Sequence, residues 1–196
     1  MKKLIATVTY VLAFASLIFT GCKKEQNDID TATSADNAQS ESVYNDVSSE
    51  VDNAAMSNKF LDPSSTGVST VTCPTITIDH PDSTTWPKVV TIDFGSTNCT
   101  NTAGVNHRGQ IIATFSGPYR AIGTVITITF NNYYVNDNHV EGTKTITNDG
   151  TNALGQMFWT VVVQNAQITK TDGTVITWNA TRVRTWVSGQ NTVGNW

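Results

Sequence analysis

The side chains best placed to recognise a ligand lie near the C-terminus. From Gly173 to Trp186, apolar and polar residues alternate, which predicts a β-strand whose successive side chains point to opposite faces. One face of that strand carries Trp178, Arg182, Arg184 and Trp186. Indole rings stack on sugars and guanidinium groups pair with carboxylates, so this face is a candidate ligand-binding surface. The alternative is structural, with Trp178 buried and the arginine stems covering the sheet.

Acid–base and metal chemistry have weaker candidates. The segment Asp79–Asp82 places a histidine between two carboxylates, but its proline favours a turn. Asp137 and Glu141 are a carboxylate pair of the kind a glycosidase needs, although nothing in the sequence fixes their separation. His107 and His139 begin predicted strands without partners at metal-ligand spacing, and both are expected to face solvent. No nucleophile or phosphate-binding motif is found, so we predict a protein that is not an enzyme and has no cofactor or metal.

The N-terminus has the pattern of a lipoprotein signal peptide. Two lysines precede a nearly continuous apolar stretch from Leu4 to Phe19, and two small residues then precede Cys22. We therefore predict cleavage after residue 21, lipidation of Cys22 with palmitate among its acyl chains, and attachment to a membrane. The alternative is an uncleaved anchor, although the run is shorter than the ~20 residues that span a bilayer comfortably.

The other two cysteines, Cys73 and Cys99, predict a disulfide, because exported proteins fold in an oxidising compartment. Closing a loop of that size stabilises a fold by roughly 3 to 4 kcal/mol. Two unpaired core thiols are the alternative.

Charge divides the chain into parts. Residues 22–62 carry nine acidic side chains against three lysines, whereas residues 63–196 carry seven acidic and seven basic ones. A neutral C-terminal part lacks the basic surface that phosphate contacts need, so nucleic acid is not an expected partner. We divide the chain into a signal peptide (1–21), an acidic stalk (22–62) and a β domain (63–196).

The acidic stalk contains one weak helix signal. Residues 23 to about 34 have almost nothing to bury and are expected to be disordered. From about 34 to 58, Val43, Val47 and Val51 recur every four residues as a narrow apolar stripe. Valine, serine and asparagine disfavour a helix, so this short amphipathic helix needs a surface to dock on.

The β domain has 27 threonines between residues 63 and 196, mostly alternating with Val, Ile, Phe or Trp. That period predicts seven strands, at about 75–78, 89–94, 110–116, 123–130, 142–147, 156–164 and 173–186. Turn-forming residues at 135–138, 148–150 and 171–173 predict hairpins between neighbouring strands. The expected fold is mainly β, an antiparallel meander forming either a sandwich or a strongly curved sheet.

Two segments recur in similar form. Residues 109–114 resemble 155–160, and residues 123–127 are repeated at 173–177, which suggests a duplicated hairpin unit. Each copy starts with a glycine before a predicted strand, and we expect these glycines to serve turn geometry.

The Thr-Gly-Cys-Lys-Lys-Glu junction, the polar stalk and the threonine-rich domain resemble an envelope lipoprotein of the Bacteroidota type. From Thr72 to Gly189 the chain is also similar to a family of such lipoproteins with no assigned function. The motifs that carry this similarity are Arg108–Ile112, Gly117–Arg120, Phe130–Val135, Val140–Thr143 and Arg182–Trp186. The resemblance implies a lipid anchor in the outer membrane of a Gram-negative bacterium, facing the periplasm or the surface. It implies no activity.

Two further expectations rest on that resemblance. Thr31 and Ser83 each follow an aspartate and precede a small residue or threonine, which implies O-glycosylation; an ordinary stalk or turn residue is the alternative. Family members continue with further strands, so we expect a β domain that is short at its C-terminus.

These features predict a lipid-anchored envelope protein with a non-enzymatic binding or structural β module, whose partner is a glycan or an envelope protein. A glycan hydrolase using carboxylates and a lipid-handling factor are the alternatives. A pocket with convergent acids favours the hydrolase, an open apolar groove the lipid carrier, and an exposed aromatic strip the binder.

Overall fold

One helix and one antiparallel sheet make up the described chain, which in this computed structural model comprises residues 29–59, 61 and 73–187. The predicted signal peptide, Cys22, the N-terminal part of the stalk and the side chain of Thr31 lie outside it. The described residues from Ala35 onward belong to one compact unit, and every contact described for the protein lies within it. Among the described residues, no helix combines the length and apolar character needed to span a membrane.

The elements follow the predicted order closely. The helix α1 spans Ile29–Met56. The strands are β1 (Thr75–Ile78), β2 (Lys88–Asp93), β3 (Cys99–Thr100), β4 (Asn106–Phe115), β5 (Val125–Val135), β6 (Asn138–Thr151), β7 (Met157–Thr169) and β8 (Val175–Thr185). Only the short β3 has no counterpart among the predicted strands, since two residues are too few for a periodic signal.

The sheet has the order β1-β2-β4-β5-β6-β7-β8, with β3 paired to β4, and every pairing is antiparallel. This confirms the mainly β fold. Alternation places Ile126 and Ile128 of β5 in the core, whereas Thr127 and Thr129 lie on the opposite, half-buried face. The frequent threonines therefore mark the outer face of the sheet.

The helix α1 covers the inner face. The predicted valine stripe is buried, with Val47 fully inaccessible to solvent. It packs in one core with strand residues such as Ile111, Ile128 and Ile168. A sequence with weak helix propensity thus forms a helix because burial of one face stabilises it.

The disulfide between Cys73 and Cys99 is present and confirms the prediction. It joins the residues before β1 to β3, with the Cα atoms 6.3 Å apart and a sequence separation of 26. A loop of this length corresponds to roughly 3 to 4 kcal/mol of stabilisation through the unfolded state. The bond therefore fixes the first edge of the sheet.

Two turn predictions are confirmed and one is wrong. Asn136 and Asp137 connect β5 and β6 with positive φ angles of 47° and 65°, and Gly173 has a φ of 85° in the β7–β8 turn. Residues 148–150, by contrast, lie inside β6, where the register with β7 shifts. Asparagine and glycine accommodate a bulge as readily as a turn. The local pattern therefore predicted a turn where the strand contains a bulge.

Two more bulges each place a glycine against an asparagine of the next strand, and both residues have positive φ angles. Gly109 of β4, with φ of 80°, lies against Asn132 of β5, whose φ is 46°. Gly142 of β6, with φ of 120°, lies against Asn165 of β7, whose φ is 52°. Gly109 therefore lies within a strand rather than in the expected turn, whereas the glycines at 123, 155 and 173 do precede strands. Such bulges bend and twist a strand pair.

Candidate functional site

The predicted ligand face of β8 points toward α1. Trp178, Arg182 and Arg184 lie opposite core-facing residues of β7, as the alternation requires. The Trp178 ring centroid lies 5.6 Å from that of Tyr44, and Arg182 Nη2 lies 2.9 Å from Glu41 Oε2. Trp178 therefore packs against the helix, and Arg182 forms an exposed ion pair with it.

Arg184 and Trp186 instead line a cavity of about 390 Å³ between α1 and strands β5 to β8. The Arg184 guanidinium donates a hydrogen bond to Asn45 Oδ1 on α1. The Trp186 ring lies 5.9 Å from the ring of Trp159. Most of the wall is apolar and is formed by Ile126, Ile146, Trp159, Val161 and Trp186.

One carboxylate and one phenol from different parts of the chain meet in this wall. Tyr119 Oη donates to Asp52 Oδ1 at 2.8 Å, joining the β4–β5 connection to α1. Burial raises the pKa of Asp52 to about 6, against the lowering effects of the Tyr119 hydrogen bond and of nearby cations. At neutral pH the Asp52 carboxylate is therefore mostly ionised.

Arg120 is a second guanidinium in the cavity wall. Its backbone has a φ of 67°, in the left-handed region that non-glycine residues seldom adopt. Asn148 donates through Nδ2 to Arg120 O at 2.7 Å and thereby holds this turn. The guanidinium carbon lies 5.2 Å from the ring centroids of both Tyr119 and Trp186. A cation is thus fixed beside the aromatic part of the cavity.

Lys144 is a third basic group and lies behind the wall. It is 1% exposed and donates from Nζ to Tyr44 O at 2.6 Å and to Oγ of Ser48, a cavity-lining residue of α1. Burial, with repulsion from Arg184, lowers the pKa of Lys144 to about 7. The cavity is therefore apolar in its walls and has more basic than acidic groups around it.

The other predicted candidates lie away from this cavity. Asp79–Asp82 forms the expected turn, in which Asp82 Oδ1 accepts a hydrogen bond from Thr84 N at 2.8 Å, and Ser83 is exposed. Asp137 pairs with Arg108, and Glu141 Oε2 lies 3.6 Å from the imidazole of its neighbour His139. Neither acid lines the cavity.

His107 contradicts the expectation that it faces solvent, because it is fully buried. Its ring stacks on Phe94 with centroids 4.8 Å apart. A histidine at the start of a strand gives no sign of this burial; it depends on the docked helix.

Comparison with protein-family models, with curated proteins and with solved structures finds no match. The family resemblance, the membrane address and the function thus stay predictions. The geometry and charge of the cavity are the observations from which a function can be proposed.

Proposed function

We propose that this protein is a lipid-anchored binding protein of the cell envelope that holds a small amphipathic acid in the cavity between α1 and the sheet. The observation that carries the proposal is an apolar cavity of about 390 Å³ with two guanidinium groups, Arg120 and Arg184, in its wall. Ligand sites in proteins are typically apolar cavities of roughly 300 to 1,000 Å³ with a few polar groups that orient the ligand.

The charges select the kind of ligand. Arg120 and Arg184 face the cavity together with Asp52, so two guanidinium groups stand against one acid among its described lining residues, and an anionic ligand group gains a favourable pairing with a guanidinium. The indole rings of Trp159 and Trp186 provide the apolar contact area. An apolar body with one carboxylate matches both features.

The same arrangement weakens the case for a glycan hydrolase. Such enzymes use two carboxylates on either side of the scissile bond. Among the described residues that line the cavity, Asp52 is the one carboxylic acid. A lipid-handling role remains within the proposal, because fatty acids belong to the proposed ligand class.

The binding prediction uses two adjacent arginines on the same strand face. The full chain in lipid nanodiscs is expected to bind 2-naphthoate or octanoate by titration calorimetry, with empty nanodiscs as the blank. Arg184→Gln should weaken binding by about tenfold or more, as loss of an interface anchor does. Arg182→Gln is the matched control and should leave binding unchanged, because the Arg182–Glu41 ion pair lies outside the cavity and is exposed, so that it contributes little to the docking of α1.

Uncharged probes separate charge recognition from loss of shape. Arg184→Gln should leave binding of 2-naphthamide and octanamide unaffected. Preference for octanoate indicates a lipid-handling role, and preference for 2-naphthoate an aromatic acid ligand. If neither acid binds the wild type, or if both arginine variants behave alike, the proposal is wrong.

The lipid anchor is a separate part of the proposal and rests on the pattern that ends at Cys22. In cells that express the chain, an alkyne-labelled palmitate should label the wild type and not Cys22→Ala. Equal labelling and processing of the variant would refute the anchor without affecting the cavity.

A further inference from the structure

A second cluster of chemically active side chains lies between α1 and β4, apart from the cavity. Asp46 and Glu50 are one helical turn apart on α1 and face His107 of β4. His107 Nε2 lies 3.6 Å from Asp46 Oδ2 and 3.8 Å from Glu50 Oε1. One ligand atom from each residue can be chosen so that all three lie within 4.8 Å of one another.

The hydrogen-bond network assigns the tautomer of His107. The Asn101 amide nitrogen, which can only donate, lies 3.1 Å from His107 Nε2 and 3.0 Å from Glu50 Oε1. Nε2 therefore presents its lone pair to the cluster and Nδ1 carries the proton. Nδ1 lies 2.8 Å from Tyr133 Oη, to which it donates.

Three lone pairs thus converge on one small volume. The imidazole is fully buried and Glu50 is 8% exposed. Asp46 Oδ2 is buried and has no hydrogen-bond partner among the described residues. Burial, with repulsion from Glu50, raises the pKa of Asp46 to about 6, and burial lowers the pKa of His107 to about 4. Two acids face a neutral imidazole, an arrangement that a cation would stabilise.

We propose that Asp46, Glu50 and His107 bind a divalent transition-metal ion, with zinc as the best match. Imidazole nitrogen and carboxylate oxygen are common zinc ligands at about 2.0 to 2.2 Å, which places neighbouring ligands of a tetrahedral ion roughly 3.3 to 3.6 Å apart. The two separations from His107 Nε2, 3.6 and 3.8 Å, need only a small contraction. The Asp46 and Glu50 oxygens lie within 4.8 Å of each other, and rotation of the two carboxylates would bring them to ligand distance.

The surroundings match those of a metal site. A metal-bound histidine usually donates its other ring N–H to a second group, and Tyr133 provides that acceptor. The ion would replace the Asn101 amide hydrogens as the positive partner of Glu50 and His107. A cavity of about 590 Å³ that includes Asp46, Glu50 and Asn101 in its wall provides an entry path.

Cobalt titration tests the proposal. The full chain in nanodiscs, purified without a histidine tag and treated with a chelator, is expected to bind one Co²⁺ with the visible absorption of a protein-bound ion, and Zn²⁺ should displace it. Asp46→Asn should weaken Co²⁺ binding at least tenfold. Tyr133→Phe should weaken it by about tenfold or more, as loss of an orienting partner does.

Two histidine variants complete the design. His107→Gln should abolish the absorption, whereas His139→Gln, which removes a histidine beside the carboxylate of Glu141, should leave it unchanged. If His107→Gln does not fold, Co²⁺ binding to Asp46→Asn tests the site instead. This variant is expected to fold, because Asp46 is partly exposed and asparagine has nearly the same shape. No stoichiometric binding to the wild type, or equal binding to Asp46→Asn, would overturn the site. The cavity ligand is not involved in either result.

Discussion

Gly109→Ala is expected to prevent stable folding or to lower the free energy of unfolding by more than about 4 kcal/mol, beyond the range of ordinary substitutions. A Cβ atom at residue 109 would lie 1.9 Å from the carbonyl oxygen of Asn132 and 2.9 Å from Tyr133 Cα. Both are backbone atoms of β5 and cannot rotate away. Denaturant unfolding followed by circular dichroism measures the loss.

Gly123→Ala is the matched control. Gly123 has the same φ of 80°, but a Cβ there lies more than 4 Å from every described residue other than its two chain neighbours. Its cost is the left-handed backbone alone, about 1 to 2 kcal/mol. The difference between the two variants isolates the close approach of β4 and β5. Losses of similar size would mean that the strands can separate at the bulge without harm.

The position of Gly109 shows what the sequence could and could not indicate. Alternation predicted seven strands because side-chain period is a local property. A glycine before a strand and a glycine within a bulge look alike locally, since both permit positive φ. The feature that distinguishes Gly109 is its approach to Asn132, a residue of the next strand, and the pairing that joins them arises only in the folded sheet.

The residues of the candidate site also fall into two groups, those that the sequence predicted and those that it could not predict. Arg184 and Trp186 were predicted to share a face, because alternation along one strand is sufficient for that. Asp52, Tyr119 and Arg120 were missed as cavity residues. They come from a helix and a connection far apart in sequence, and no local spacing brings them together. The segment Gly117–Arg120 is singled out in the sequence only by its resemblance to a lipoprotein family, and that resemblance does not indicate where the segment lies in the folded protein.

Docking of α1 has the second large expected effect, and Tyr44 is its test. Tyr44 is 1% exposed, and its ring centroid lies 5.9 Å from that of Phe130 in an edge contact. Its hydroxyl donates to Glu141 O at 2.6 Å. That approach requires glycine at position 142, where a Cβ would lie 2.9 Å from the Tyr44 hydroxyl.

Tyr44→Ala is therefore expected to destabilise the protein by about 3 to 5 kcal/mol, the usual cost of truncating a buried aromatic side chain to alanine. It should also weaken binding of the cavity ligand, because α1 supplies Ser48 and Asp52 to the wall and Tyr44 anchors that helix against Trp178 of β8. Thermal unfolding and calorimetric titration measure the two effects.

Tyr44→Phe separates packing from the hydrogen bond. It keeps the ring and leaves Glu141 O without the phenol donor, so we expect a loss of about 1 to 2 kcal/mol. Ligand binding should persist in this variant, because the helix stays in place. A small loss in Tyr44→Ala, comparable to that of Tyr44→Phe, would show that the valine stripe and the other contacts of α1 dock the helix without the Tyr44 ring. The helix would then be held chiefly by non-directional burial, and the ring contacts with Phe130 and Trp178 would contribute little to the cavity wall.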